Sequence, residues 1–241
     1  MLTLAFDTSS AKGSVAILDD LKVVSETAWE REVSHGELLT PAIQKSLEEA
    51  GIAIDAIDLI AIGQGPGSFT GVRVAVNAAR ALAYTTTQLA KKTKPVMVFD
   101  STEILAAAIK EHGHPVITII NAHKNLVFAS SFFWRADEWQ RQLPLQAYDF
   151  NSVVSFLDKP HLCVGDGYAE IENALPDQLK SLFLRHSHLA DHPKAVELGL
   201  LARRSIGKRQ TFSWNEIQPL YIRASGAEEK LEEKRKAPEQ K

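Results

Sequence analysis

The stretch GQGPGSFTGVR, residues 63–73, follows the apolar run IDLIAIG and precedes the alanine-rich run VRVAVNAARALAYTTTQLA. A short buried strand, a glycine-rich turn and a helix in that order make a βα unit, which commits the chain to an α/β fold. Gly65, Gly67 and Gly71 let the backbone approach a ligand more closely than any side chain would permit. A helix beginning near Gly71 directs its unpaired N–H groups and its positive end into the loop. Ser68 and Thr70 add hydroxyl donors, and Arg73 adds a cation within the first turn. That set suits an anion, yet two nucleotide motifs fail. A P-loop needs a lysine after its last glycine, and this loop has none. The dinucleotide pattern G-x-G-x-x-G needs glycine at Ser68 or Thr70. Two readings therefore stand side by side: a phosphate cradle, and a tight turn whose glycines serve sterics alone.

The flanking segments extend the α/β reading. LTLAFDTSS and GSVAILDD are apolar runs parted by a polar turn at Gly13, which reads as a hairpin, and KVVSETAWE can add a third strand. In SHGELLTPAIQKSLEEAG, Ser34 and Glu37 have capping-box spacing, Leu39, Ile43 and Leu47 recur at helical spacing, and Gly51 stands where a left-handed cap belongs. PVMVF reads as a strand, and DSTEILAAAIKEHG as a helix boxed by Asp100 and Glu103. A similar order then returns. VITIINAHKNLVFASSFFW reads as a hairpin turning near Lys124 and Asn125, followed by strands LQAYDF and HLCVG and helices NSVVSFLD, YAEIENAL and KAVELGLLARRSI. The expected organisation is one unit over residues 1–105, a second over 106–223, and a charged, solvated tail over 224–241.

Outside the loop, candidate chemistry is sparse. DTSSAKGS places Asp7, Thr8, Ser9 and Ser10 at the end of the first strand, where they can seat a phosphate with a metal ion near Asp7. The same residues also make an ordinary polar turn bonded to its own backbone. HSHLADH sets His188 and His192 four apart, but Leu189 stands where H-E-x-x-H has glutamate, and Pro193 disfavours a regular helix; a solvated loop is the plainer reading. Ser68 is not in G-x-S-x-G, and Cys163 lies in an apolar run, so no nucleophilic triad is indicated. A net charge of -3 provides no global basic field for nucleic acid. A single cysteine excludes a disulfide framework and fits a reducing compartment. The N-terminus lacks a basic leader, and no apolar run reaches the roughly 18 residues of a membrane span, so a cytoplasmic protein is expected.

DTSSAKGSVAIL and GQGPGSFTGVR together resemble the bacterial TsaB (YeaZ) family, as do SHGELLTPAI between them and PLYIR near the C-terminus. The resemblance runs from residue 1 to about 223. It implies the two-domain fold of the actin-like, sugar-kinase and heat-shock-ATPase group (ASKHA), with mixed sheets each opening on a hairpin. It further implies a non-catalytic role in making threonylcarbamoyladenosine (t6A) on tRNA, beside a TsaD-type transferase and a TsaE-type ATPase, with tRNA reached through the complex. In the catalytic relative an H-x-x-x-H metal pair follows the glycine loop and its helix, whereas here no histidine occurs from Val74 to Lys110. No metal site is therefore expected; a nucleotide, ATP or ADP with Mg, is implied only at the complex interface. The partner surface is expected on the helices of residues 35–50 and 71–91, through Leu38, Pro41, Arg73, Asn77, Ala79 and Arg80, with Ala79 facing outward. The same face offers a homodimer contact when the chain is isolated. The family's Asp-Ala-Arg stretch reads Asn121-Ala122-His123 here, and VGDGY at 164–168 supplies a second glycine turn. The alternative function is an actin-fold phosphotransferase or ATPase using Asp7 with Mg.

Overall fold

The computed structural model describes residues 1–30, 34–110, 113–172, 175–186 and 190–223. Among them, ten strands form two five-stranded mixed sheets. The first is built from β1 (Leu2–Asp7), β2 (Lys12–Asp19), β3 (Lys22–Glu30), β4 (Leu59–Gly63) and β5 (Val96–Phe99), in the order β3-β2-β1-β4-β5. β1, β2 and β3 form an antiparallel meander, and β4 and β5 add in parallel to β1. The second sheet takes β6 (Val116–Asn121), β7 (Leu126–Arg135), β8 (Glu138–Asp149), β9 (His161–Val164) and β10 (Phe183–Leu184) in the order β10-β9-β6-β7-β8. Read from β8, this is the arrangement of the first sheet: a meander at one end and two parallel strands at the other. Each mixed sheet thus opens on a hairpin, as the resemblance implied.

The first sheet is covered on both faces. Leu4, Phe6, Val15, Ile17, Ile60 and Ile62 turn to one side, where α1 (His35–Ala50) and α2 (Phe69–Ala90) pack. The alternate residues Ala5, Ala16, Leu18 and Ala61 turn to the other and meet α7 (Ala195–Arg204). Such period-two alternation in strands buried on both faces leaves few polar positions, which explains their nearly continuous apolar runs. Gly199 lets α7 sit close: a Cβ there would stand 2.3 Å from Leu18 Cδ1.

Local signals set the helix ends. α1 is capped by Ser34 and closed by Gly51 at φ 65°, whose N–H bonds the Glu48 carbonyl. The Ser34 hydroxyl takes the Gly36 N–H at 3.2 Å rather than the Glu37 N–H that a capping box would use. The full box forms on α3 (Ser101–Ala107), where Asp100 accepts from the Thr102 and Glu103 N–H groups and Glu103 accepts from the Asp100 N–H. The shorter helices α4 (Phe150–Phe156), α5 (Tyr168–Glu172) and α6 (Asp177–Lys180) lie in the second half, and α4 contributes Val153 to that sheet's core. The other face of the second sheet receives Leu105, Ala106 and Ile109 from α3 and the residues after it.

The chain does not keep its two halves apart. After the second sheet, α7 returns to the first, Phe212 bridges Val96, and Ile217 enters the core beside Leu4 and Val76. The first sheet's layers therefore draw on residues 195–217, which the sequence groups with the second half. The charged segment 224–241 lies outside the described residues.

Candidate functional site

The glycine loop is packed against the chain itself. The Ser68 N–H donates to the Ser9 carbonyl at 2.6 Å, and the Thr8 hydroxyl donates to the Gly71 carbonyl at 2.7 Å. A Cβ on Gly67 would stand 2.1 Å from the Ser9 oxygen, and one on Gly71 would stand 1.8 Å from the Thr8 oxygen. These glycines are needed because the Thr8–Ser9 backbone occupies the space a side chain would take. The rest of the loop is tied as firmly. Gln64 N–H bonds Phe99 O, Ser101 N–H bonds Gly65 O, and Leu220 N–H bonds Gln64 O. α2 starts at Phe69, two residues before the expected Gly71, because Ser68 acts as the cap: its hydroxyl accepts the Gly71 N–H. Of the two readings of the loop, close backbone packing accounts for Gly67 and Gly71.

Asp7 lies beneath this turn, with no exposed surface. Its Oδ1 accepts from the Ser9 N–H and hydroxyl at 2.9 and 2.8 Å, while Oδ2 is buried without a hydrogen-bond partner. Burial pushes the carboxyl up to about 6, against the lowering effect of the two Ser9 bonds. Gly63 makes room for it: a Cβ there would fall 1.7 Å from Oδ2.

The second half repeats the device. Gly165 and Gly167 follow β9 as the glycine loop follows β4, and Cβ atoms on them would stand 2.2 Å from Ile119 O and 2.8 Å from Ile120 C. Asn121 closes β6 as Asp7 closes β1. Its N–H bonds Asp166 Oδ1 at 3.1 Å, its side-chain oxygen accepts the His123 N–H, and its amide donates to Glu170. Burial raises the Asp166 carboxyl above the usual carboxylate range, ahead of the lowering by the Asn121 N–H.

Between the two turns opens a cleft of about 460 Å³. Five of the nine expected phosphate-site residues line it: Ser9, Ser10, Gly67, Ser68 and Thr70. Asp7, Thr8, Gly65 and Gly71 do not; they form its support. The facing wall carries Asn121, His123, Lys124 and Asp166. Sequence reasoning missed the rim formed by Phe69, Tyr221 and Arg223. Phe69 and Tyr221 stack at 4.8 Å, the Arg73 guanidinium lies 4.0 Å over Phe69, and Arg73 Nε donates to the Tyr221 hydroxyl at 2.7 Å across 148 residues of sequence. Arg223 donates to Ala122 O at 2.7 Å. The PLYIR stretch was the available signal, but nothing local says that it returns to the loop.

On the helical face, Pro41, Arg73 and Asn77 are exposed, and Leu38 and Arg80 are half-buried. Arg80 is engaged internally, its Nε on Ile217 O at 2.9 Å. Ala79 does not face outward: it is fully buried. With Val72, Ala75, Val76 and Ala83 it belongs to the i, i+3, i+4 stripe that α2 presents to the sheet. The neighbouring small position on the solvent side is Ala81. Among the described residues no group of three His, Cys, Asp or Glu is placed to hold a metal ion, and no helix is long and apolar enough to cross a membrane. Asp191 of the HSHLADH stretch pairs with Arg185 at 2.8 Å, and His188 lies outside the described residues.

Comparison with known proteins agrees with this geometry. The family model described as TsaD: tRNA N6-adenosine threonylcarbamoyltransferase matches residues 29–231. The tRNA threonylcarbamoyladenosine biosynthesis protein TsaB of Haemophilus influenzae is 28% identical, over 91% of this chain and 92% of that one. The Bacillus subtilis protein of the same name is 24% identical, over 98% and 100%. The solved structure of YeaZ from Pseudomonas aeruginosa superposes with a TM-score of 0.73 at 26% identity, covering 91% of this chain and 99% of that one. With a TsaD-type family model spanning most of its length, TsaB relatives matching nearly end to end and the YeaZ fold reproduced, this chain belongs to the TsaB (YeaZ) family.

Proposed function

We propose that the protein serves tRNA threonylcarbamoyladenosine synthesis as a non-catalytic subunit that binds and supports a TsaD-type transferase in the cytoplasm. The observation that carries this reading is the filled glycine loop. Thr8 and Ser9 press into the loop, and the Ser68 N–H is used by Ser9, so that backbone donor is already spent within the chain. The absence of histidine from Val74 to Lys110 agrees, since it removes the relative's metal pair from its place after the loop.

The partner surface is assigned to the exposed side of α1 and α2, through Leu38, Pro41, Arg73 and Asn77. An apolar groove of about 360 Å³ between Ile43, Leu47, Ile52 and Leu82 lies on this side. The same surface serves a homodimer when the transferase is absent. A TsaE-type ATPase joins the complex, and tRNA is reached through it, because the net charge of -3 offers no broad basic surface. If ATP or ADP with Mg binds, it does so in the cleft at the complex interface. There the hydroxyls of Ser68 and Thr70 and the cations of Lys124 and Arg223 are the donors for phosphate.

The test is co-purification with a TsaD-type subunit, followed by a tRNA-modification assay with and without this protein. Stable association and loss of t6A on omission are expected. Full modification without the protein would overturn the assignment.

A further inference from the structure

Three helices start against one short turn. Thr8, Ser9 and Ser10 lead out of β1 and are buried. The Thr8 hydroxyl donates to Gly71 O, in the first turn of α2, at 2.7 Å. The Ser9 carbonyl accepts the N–H of Ser68, the α2 cap, and the Ser9 hydroxyl accepts that of Ser101, the first residue of α3, at 3.0 Å. The Ser10 carbonyl meets Nε2 of His35, the first residue of α1, at 2.8 Å. Ser9 and Ser10 also line the cleft. The turn thus joins a wall of the cleft to the starts of both helices assigned to the partner surface.

His35 is not needed to begin α1, which Ser34 already caps. It is 2% exposed and stands at one end of an inward face made otherwise of Leu39, Ala42, Ile43 and Ser46. Leucine would fill such a position equally well, but the two neighbours of the ring are polar and of opposite kind. The Trp29 indole N–H, which can only donate, approaches Nδ1 at 3.1 Å, and the Ser10 carbonyl, which can only accept, faces Nε2. Together they set the tautomer: Nδ1 accepts and Nε2–H donates. The indole is itself fixed, because it lies across β2 where a Cβ on Gly13 would stand 2.3 Å from Trp29 Cζ2. Further along α1, the Ser46 hydroxyl donates to Thr27 Oγ1 at 2.9 Å, and the Ser25 hydroxyl donates to Ser46 O at 2.8 Å. β3 therefore anchors α1 along its inward face, and His35 carries that anchorage on to the turn.

We propose that His35 is a positioning residue that couples the start of α1 to the cleft wall, so that the Thr8–Ser10 turn and the partner-binding side of α1 are ordered together. The role in partner binding rests on the assignment of α1 to the transferase surface; the coupling itself does not. A hydrogen-bonded link of this kind predicts that loosening one end loosens the other.

Hydrogen exchange of the full chain, read residue by residue, tests the coupling in His35→Leu and His35→Gln, with circular dichroism verifying each fold. In the leucine variant, amides of residues 36–39 in α1 and of Ser9 and Lys12 in the turn should exchange at least about tenfold faster, while those of Leu4 to Phe6 in β1 keep the parent's rates. Glutamine carries a donor and an acceptor about as far apart as the two ring nitrogens, so His35→Gln should restore protection at both places. Retention of a TsaD-type subunit should follow the same order, roughly tenfold weaker for leucine and near the parent for glutamine. A space-filling role predicts the opposite ranking, with leucine at least as good as glutamine, and that result would overturn the proposal. So would loosening confined to either the helix or the turn, or acceleration in β1 as large as in α1, which would mark a global loss of stability. Unchanged retention by a leucine variant with a loosened α1 would remove His35 from partner binding. If the parent itself retains no TsaD-type subunit, the functional assignment fails, and the exchange rates still decide the coupling.

Discussion

Gly67 and Ser9 meet backbone to backbone: a Cβ on Gly67 would lie 2.1 Å from the Ser9 carbonyl oxygen, the atom that accepts the Ser68 N–H at 2.6 Å. The two residues belong to the two stretches that look like a phosphate site, and they hold each other. Gly67 also has a φ of 155°. Replacement by alanine forces the turn and the loop apart, so Gly67→Ala should cost about 3 kcal/mol from overpacking and backbone strain combined. Gly113→Ala, where a Cβ would meet nothing within 4 Å, should cost little. Urea-unfolding midpoints of the two variants make the comparison, and equal stability would refute the packing account.

The carboxyl of Asp7 titrates at about 6 in the folded protein, against 3.8 for an exposed aspartate. The folded state therefore holds its proton longer than the unfolded chain. As pH rises from about 4 to about 6, only the unfolded chain ionises. Stability should fall across that window and level off above it, by up to about 3 kcal/mol at about 1.4 kcal/mol per pKa unit. Asp7→Asn retains an acceptor for Ser9 and cannot ionise, so this part of the fall should vanish. Unfolding free energies of both proteins from pH 4 to 8 give the difference curve, and parallel profiles would contradict it.

Position 79 and position 81 lie on opposite sides of α2. Ala79 is fully buried against the sheet, so Ala79→Glu places a charge in the core and should destabilise the fold by at least about 3 kcal/mol. Ala81 is exposed, and Ala81→Glu should leave thermal unfolding within about 0.5 kcal/mol of the parent. On the proposed interface it should nevertheless reduce pull-down of a TsaD-type subunit roughly tenfold. Unchanged pull-down by the folded Ala81→Glu protein would move the interface off this side of α2.

Cys163, the only cysteine, is fully buried in β9, and burial raises its thiol to about 12. Thiolate is the reactive form, so a disulfide reagent at pH 8 should label the native protein only as fast as it opens. Labelling should accelerate in step with unfolding when urea is added. Rapid labelling in native buffer would show that β9 is less protected than its packing implies.

Periods of two and near 3.6, and residues that act on their immediate neighbours, were legible in the sequence: the meander of β1 to β3, the apolar β4, the Gly51 stop, the Asp100 cap and the repeated order of elements. β8 was legible only from residue 145, because its first half, EWQRQ, is largely polar and half-exposed and shows no apolar alternation. Other features depended on partners far along the chain. The loop's composition is the same for a ligand or for the Thr8–Ser9 backbone, and only packing decided which of them fills the space beside Gly67 and Gly71. Likewise a helix of alanines looks alike on every side, so the sheet, and not the sequence of α2, turned Ala79 inward. The return of α7 and Ile217 to the first sheet had no local sign either, since an apolar face states that it must be buried but not against which surface.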